Sequence, residues 1–164
     1  MRTINDIFNI ILKETIILEE VKFKNNIDGI YLKLPGLDPT IGVNKSIVFD
    51  NKKYISVITE ELGHHFTTSG DLTAECITYS DQINKYKKEF KARRWASDFL
   101  ISDYEFEQAL HSGASTMFDL EEYFGVTEGI IKYKIKSIYC NENKYKKIIN
   151  NFKLHEFKYE SCNI

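Results

Sequence analysis

Glu60 and His64 stand four residues apart in the string ITEELGHHFT, so on a helix they share one face about one turn apart. A carboxylate and an imidazole placed in this way can chelate one metal ion. Glu61 is rotated by about 100° from Glu60 at about 3.6 residues per turn. It therefore flanks such an ion, where a base can take a proton from water. The same spacing permits a second frame, Glu61 with His65. The bland reading of the string is an acid cluster beside a satisfied core histidine.

These spacings act only on a helix, and the surrounding pattern supplies one. From Asn51 onward Tyr54, Ile55, Ile58, Leu62, His65 and Phe66 recur at three- and four-residue intervals. Asp50 or Asn51 is placed to cap the start, and Gly70 in TTSGDLT to end it. A second helix is expected over INKYKKEFKARRWASDFLIS, which contains no Gly or Pro and puts Tyr86, Glu89, Ala92, Ala96, Phe99 and Leu100 along one side. Lys85, Lys87, Lys88, Lys91 and Arg94 read as its solvated face. Glu89 alone would be an ordinary surface acid paired with Lys85, and Trp95 and Phe99 read as core. Tyr79 is recommended as an oxyanion donor by position only. Asp71 could orient a histidine, though an Asp after Gly more often stabilises a turn. His111 and His155 read as surface positions.

The start of the chain, MRTINDIFNIILKETIILEE, reads as an amphipathic helix, too interrupted for a secretory leader. Val21 to Phe49 mixes β-branched and aromatic residues with turn formers, suggesting two or three short antiparallel strands. Ile30, Leu32 and Leu34 alternate there against Tyr31 and Lys33. Beyond Ser102 come an Asp103-capped YEFEQALH, then DLEEYF, then Gly125-Val126-Thr127 leading into EGIIKYKIKSIYC. The last two have a helix-turn-helix outline that any small helical bundle also gives. The fold class is α+β: a small antiparallel sheet packed with the motif helix and the Glu89 helix. Residues 1–102 form the core, and 103–164 are a C-terminal helical part packed on it.

With 164 residues there is room for one domain and no second catalytic one. A formal charge of -2 and pI near 6.1 exclude a whole-chain polycation. DNA contact would have to come from a local patch such as Lys132, Lys134, Lys136, Lys144, Lys146 and Lys147. Cys76, Cys140 and Cys162 are odd in number and form no CxxC, which suits a reducing compartment. No run approaches the roughly 18 apolar residues of a membrane span, so the expected location is the cytoplasm.

The string EELGHHFT resembles the HELGHH motif of the ImmA/IrrE metallo-endopeptidases, and EFKARRWASDFLIS resembles their downstream helix. The interval from His64 to Glu89 is also similar to theirs, and the resemblance extends more loosely over most of the chain. It implies Glu61 as general base, His64 as a metal ligand and Glu89 as the third ligand, with water in the fourth position of a catalytic zinc site. Glu60 stands where the family's motif begins with His, as in the EELGHH forms of phage-like members. One His and two Glu would cancel the charge of a divalent ion and weaken it as a Lewis acid. Zinc is the first expectation, and the oxygen ligands also suit manganese or iron.

The resemblance further implies a protein substrate, a helix-turn-helix transcriptional repressor of a phage or integrative element, cut to relieve repression. Two other readings stand beside it. One is a non-enzymatic regulator that binds a repressor or DNA, its site lapsed through Glu60. The other is a structural metal that staples two helices.

Overall fold

In the computed structural model, which describes residues 2–24, 26–68 and 78–151, the N-terminal amphipathic stretch forms α1 (Ile4–Lys13). Thr3 and Asp6 build a capping box at its start, and Ile7 and Ile11 face the core. Gly70, Asp71, Cys76, His155 and Cys162 lie outside the described residues. Among the described residues no helix is long and apolar enough to cross a membrane.

Three strands follow: β1 (Ile17–Val21), β2 (Gly29–Leu32) and β3 (Thr40–Asn44), in the order β1-β3-β2. The α+β class is as expected, but the sheet is mixed. β2 and β3 are antiparallel, with Tyr31 opposite Ile41, whereas β1 runs parallel to β3, with Leu18 opposite Ile41. Strand β3 is the most deeply buried, with Ile41 and Val43 fully enclosed, and therefore takes the centre. The chain reverses direction from β1 to β2 and again from β2 to β3, so with β3 inserted between the other two strands it comes to lie parallel to β1. Tyr31 is also the inward residue of β2, 5% exposed, while Leu34 lies at 52%. Alternation alone had set Tyr31 on the opposite face from the leucines.

After a 3-10 turn at Lys45–Ile47, Asp50 accepts from the Lys53 amide and starts α2 (Asn51–Thr67). Ile58 and Leu62 anchor it in the core. Thr59, Gly63 and His64 are buried as well, so the enclosed stripe is rotated away from the expected Phe66 side. α3 (Tyr79–Leu100) begins at a Thr78–Asp81 capping box, a few residues before the expected start, and buries Ala92, Ala96, Ser97 and Leu100. These small residues let it lie close to α2.

The remaining helices are α4 (Asp103–His111), α5 (Met117–Phe124), α6 (Glu128–Tyr139) and α7 (Glu142–Asn151). Ser102, not Asp103, caps α4, through a reciprocal bond with Glu105. That leaves the Asp103 carboxylate for lysines. Gly125 closes α5 in the left-handed conformation at φ 59°. Thr127 precedes α6 without a side-chain cap, and its amide instead donates to Ser56 Oγ of α2 at 3.0 Å. Together these helices share one hydrophobic core with α1, the sheet and α2.

Lys134 of α6 is 1% exposed. Its Nζ lies 2.8 Å from Asp98 Oδ1 and 2.7 Å from Asp103 Oδ1. The other lysines of the suggested basic patch are engaged too. Lys132 faces Glu128, Lys144 faces Asp103, Lys146 faces Glu142, Lys147 faces Glu107, and Lys136 lies over the Phe90 ring.

Lys134→Met should cost about 2 kcal/mol in urea unfolding. That is below the roughly 3–5 kcal/mol for breaking an enclosed pair, because Asp98 and Asp103 stay within reach of water. Burial raises the Asp103 carboxyl, but Lys134 and Lys144 hold it below its ordinary range. Its stabilisation is therefore present above about pH 4 and is lost as pH falls through the depressed value. The variant should show a shallower acid limb of that kind.

Candidate functional site

Helix α2 is brought against α3 at Gly63. A methyl group there would meet the Ala92 carbonyl oxygen at 2.3 Å and its carbon at 2.8 Å. The close crossing sets the two helices side by side and turns Glu60, Glu61 and His64 toward Glu89 and Arg93. Strand β2 covers the other side through Gly29, where a Cβ would lie 2.5 Å from Val57 Cγ1 and 2.9 Å from Glu61 Oε1. Glycine is therefore required for the strand to sit on the acid. Asp28 to Tyr31, Val57, Lys85 and these five side chains line one cleft of about 490 Å³.

Within the cleft His64 Nε2 is 3.5 Å from Glu89 Oε1. The other oxygen of Glu89 is 3.5 Å from Arg93 Nη2, and Arg93 Nε is 3.6 Å from Glu60 Oε2. Nδ1 of His64 is buried and meets no hydrogen-bonding partner among the described residues. His65, one position on, faces elsewhere. Its Nδ1 is 2.9 Å from the Tyr31 hydroxyl and its Nε2 is 3.6 Å from Glu14 of the turn after α1. It is not among the cleft's lining residues, which separates it from the alternative Glu61 frame.

The electrostatics follow from crowding acids against an apolar wall. Burial pushes the Glu61 carboxyl up to about 7, with Glu60 and Glu89 adding to the rise and His64 opposing it. Burial also raises Glu60, against the pull of Arg93. Glu89 moves the other way: its contact with His64 holds it below the ordinary carboxyl range in spite of burial. The cleft thus collects more negative charge than its surroundings readily hold.

No three His, Cys, Asp or Glu side chains among the described residues are drawn together as a metal-binding group. The donors nonetheless suit a divalent ion in kind. One imidazole and the carboxylates of Glu60 and Glu89 line a common cleft, and a cation would offset the burial and the acid–acid repulsion that together lift Glu61.

Tyr79 is exposed at the start of α3 and does not line the cleft. A tyrosine does line it, and it is Tyr31. Arg93 was missed by sequence reasoning, although it follows Glu89 by four residues and so had to share its face. The Tyr31–His65–Glu14 file joins three distant segments and leaves no local signal.

A family model, Peptidase_M78, the IrrE N-terminal-like domain, matches residues 19–136. No curated protein and no solved structure matches the chain.

Proposed function

Because the chain belongs to the Peptidase_M78 family of IrrE N-terminal-like domains, and its function is metallopeptidase-like, we propose that it is a metal-dependent endopeptidase that cuts a helix-turn-helix repressor. The observation that carries this reading is the convergence of Glu60, Glu61 and His64 from α2 and Glu89 from α3 on one cleft beside β2. Glu60, His64 and Glu89 would hold the ion, zinc first, with manganese or iron also suited to the oxygen donors. When bound, the ion supplies Lewis-acid polarisation of the scissile carbonyl and acidifies water.

The remaining steps belong to the protein's own groups. Glu61 takes the proton of the attacking water as its oxygen bonds to the carbonyl carbon. It then returns a proton to the amide nitrogen as the C–N bond breaks. Among the described residues β2 is an edge strand, paired with β3 on one side only. We infer that the opposite edge of β2 takes an extended peptide by main-chain hydrogen bonds and lays it across the cleft. Tyr31 faces the same space, its hydroxyl held by His65.

Support for a DNA-binding regulator is weaker, since the lysines it would draw on are committed to carboxylates or a ring within the chain. The test is the metal content of untagged protein by elemental mass spectrometry, on the parent and on Glu60→Ala, His64→Ala and Glu89→Ala. About one ion per chain is expected in the parent and a loss in all three variants. A parent that takes up no zinc, manganese or iron on reconstitution would move the function to a non-enzymatic regulator.

A further inference from the structure

Arg93 touches two of the side chains assigned to the ion and carries the same sign of charge as the ion. Its Nε is 3.6 Å from Glu60 Oε2 and its Nη2 is 3.5 Å from Glu89 Oε2, so the guanidinium spans the carboxylates of two helices. We propose that Arg93 is a resident counter-cation that Glu60 and Glu89 exchange for the metal ion, and that it thereby sets how tightly this site binds metal. The inference rests on the metal-site reading above and adds the residue that regulates it.

Four observations converge on it. Glu60, Glu61 and Glu89 bring three carboxyl groups into one cleft beside a single imidazole, and a guanidinium in contact with Glu60 and Glu89 offsets part of that charge. The two Arg93 contacts use Oε2 of each glutamate, while Glu89 Oε1 faces His64. An ion drawing on both glutamates therefore competes with Arg93 for at least part of the same oxygen set. The guanidinium also has a second resting surface, since its central carbon lies 5.7 Å from the centre of the Tyr133 ring on α6. It can give up the carboxylates and keep that contact. Arg93 is partly exposed, with 41% of its side chain reachable by water, so the exchange needs no repacking of the core.

Removing a unit positive charge a few ångströms from a divalent ion, at the intermediate dielectric of a half-open cleft, should tighten binding by about tenfold or more. The experiment titrates metal-free parent, Arg93→Met and Arg93→Lys with zinc and with manganese against a competing chromophoric chelator. Melting temperatures are recorded with and without metal. Arg93→Met should bind at least about tenfold more tightly, and Arg93→Lys, which keeps the charge, within about threefold of the parent. Without metal, Arg93→Met should melt below the parent, because its carboxylates have lost their counter-cation. Metal should raise its melting temperature more than the parent's. Arg93→Gln, closer in polarity, replaces Met if the latter folds poorly.

Equal or weaker metal binding by both neutral variants, with the parent binding normally, overturns the role of Arg93 and leaves the metal site standing. A parent that binds no ion overturns the metal-site reading itself and this inference with it.

Discussion

Glu61→Gln should leave the protein folded and loaded with metal, and slow peptide hydrolysis by about 10²- to 10⁴-fold, the range lost when a positioned proton acceptor is removed. Glutamine keeps the volume and hydrogen-bonding shape of glutamate but cannot accept the water's proton or deliver one to the leaving amine. The substitution also removes a charge that the cleft disfavours, since burial and the neighbouring Glu60 and Glu89 already push this carboxyl up to about 7. The thermal midpoint should therefore hold steady or rise. Single-turnover cleavage of a repressor, with metal content measured on the same sample, separates the outcomes. A rate within about threefold of the parent at full metal loading would assign the base elsewhere.

Gly63→Ala should be the most damaging single methyl group in the site region. The added carbon would stand 2.3 Å from a main-chain oxygen of Ala92, which cannot rotate aside as a side chain would, so α2 and α3 must separate. Overpacking typically costs about 1–3 kcal/mol, and a clash against backbone belongs at the upper end. Alanine returns about 1 kcal/mol of helix propensity, leaving a net loss of about 2 kcal/mol. Separation of the helices also moves His64 from Glu89, so metal affinity should fall although no liganding atom has changed. Gly129→Ala is the matched control. A Cβ there meets nothing closer than 3.8 Å, so propensity alone predicts a neutral or slightly stabilising change. Chemical unfolding and metal titration of the pair check both statements; equal behaviour of the two variants would show that the α2–α3 approach is not what holds the site.

What the sequence made legible was what helical spacing encodes. Glu60, Glu61 and His64 sit within five residues of one helix, and a cap, a period and a motif all report on that short stretch. Glu89 needed the resemblance, because its own neighbours describe an unremarkable surface acid. Contacts between distant segments left weaker traces. The parallel pairing of β1 with β3 depends on which strand takes the centre, and that follows from burial across the whole sheet rather than from local pattern. Tyr31 is buried with its hydroxyl on His65 while Ile30 and Leu32 are only half-buried, so the two-residue alternation holds but the ring, not the aliphatic pair, takes the inner face. Lys134 looked like one of several surface lysines until Asp98 and Asp103, more than thirty residues earlier in the chain, were seen to enclose it. Arg93 follows Glu89 by four residues, so its place on the same helix face was legible in the spacing.

The seam between α2 and α3 carries a column of rings. Phe66 stacks on Trp95 at 4.9 Å, Trp95 lies nearly parallel to Phe99 at 5.0 Å, and the Arg2 guanidinium rests over Phe99. Trp95 is the chain's single tryptophan, and it sits two positions beyond Arg93 on the helix that bears Glu89. All indole emission from the protein therefore originates where the two helices meet. The molecule carries its own optical gauge of that junction, readable without a label.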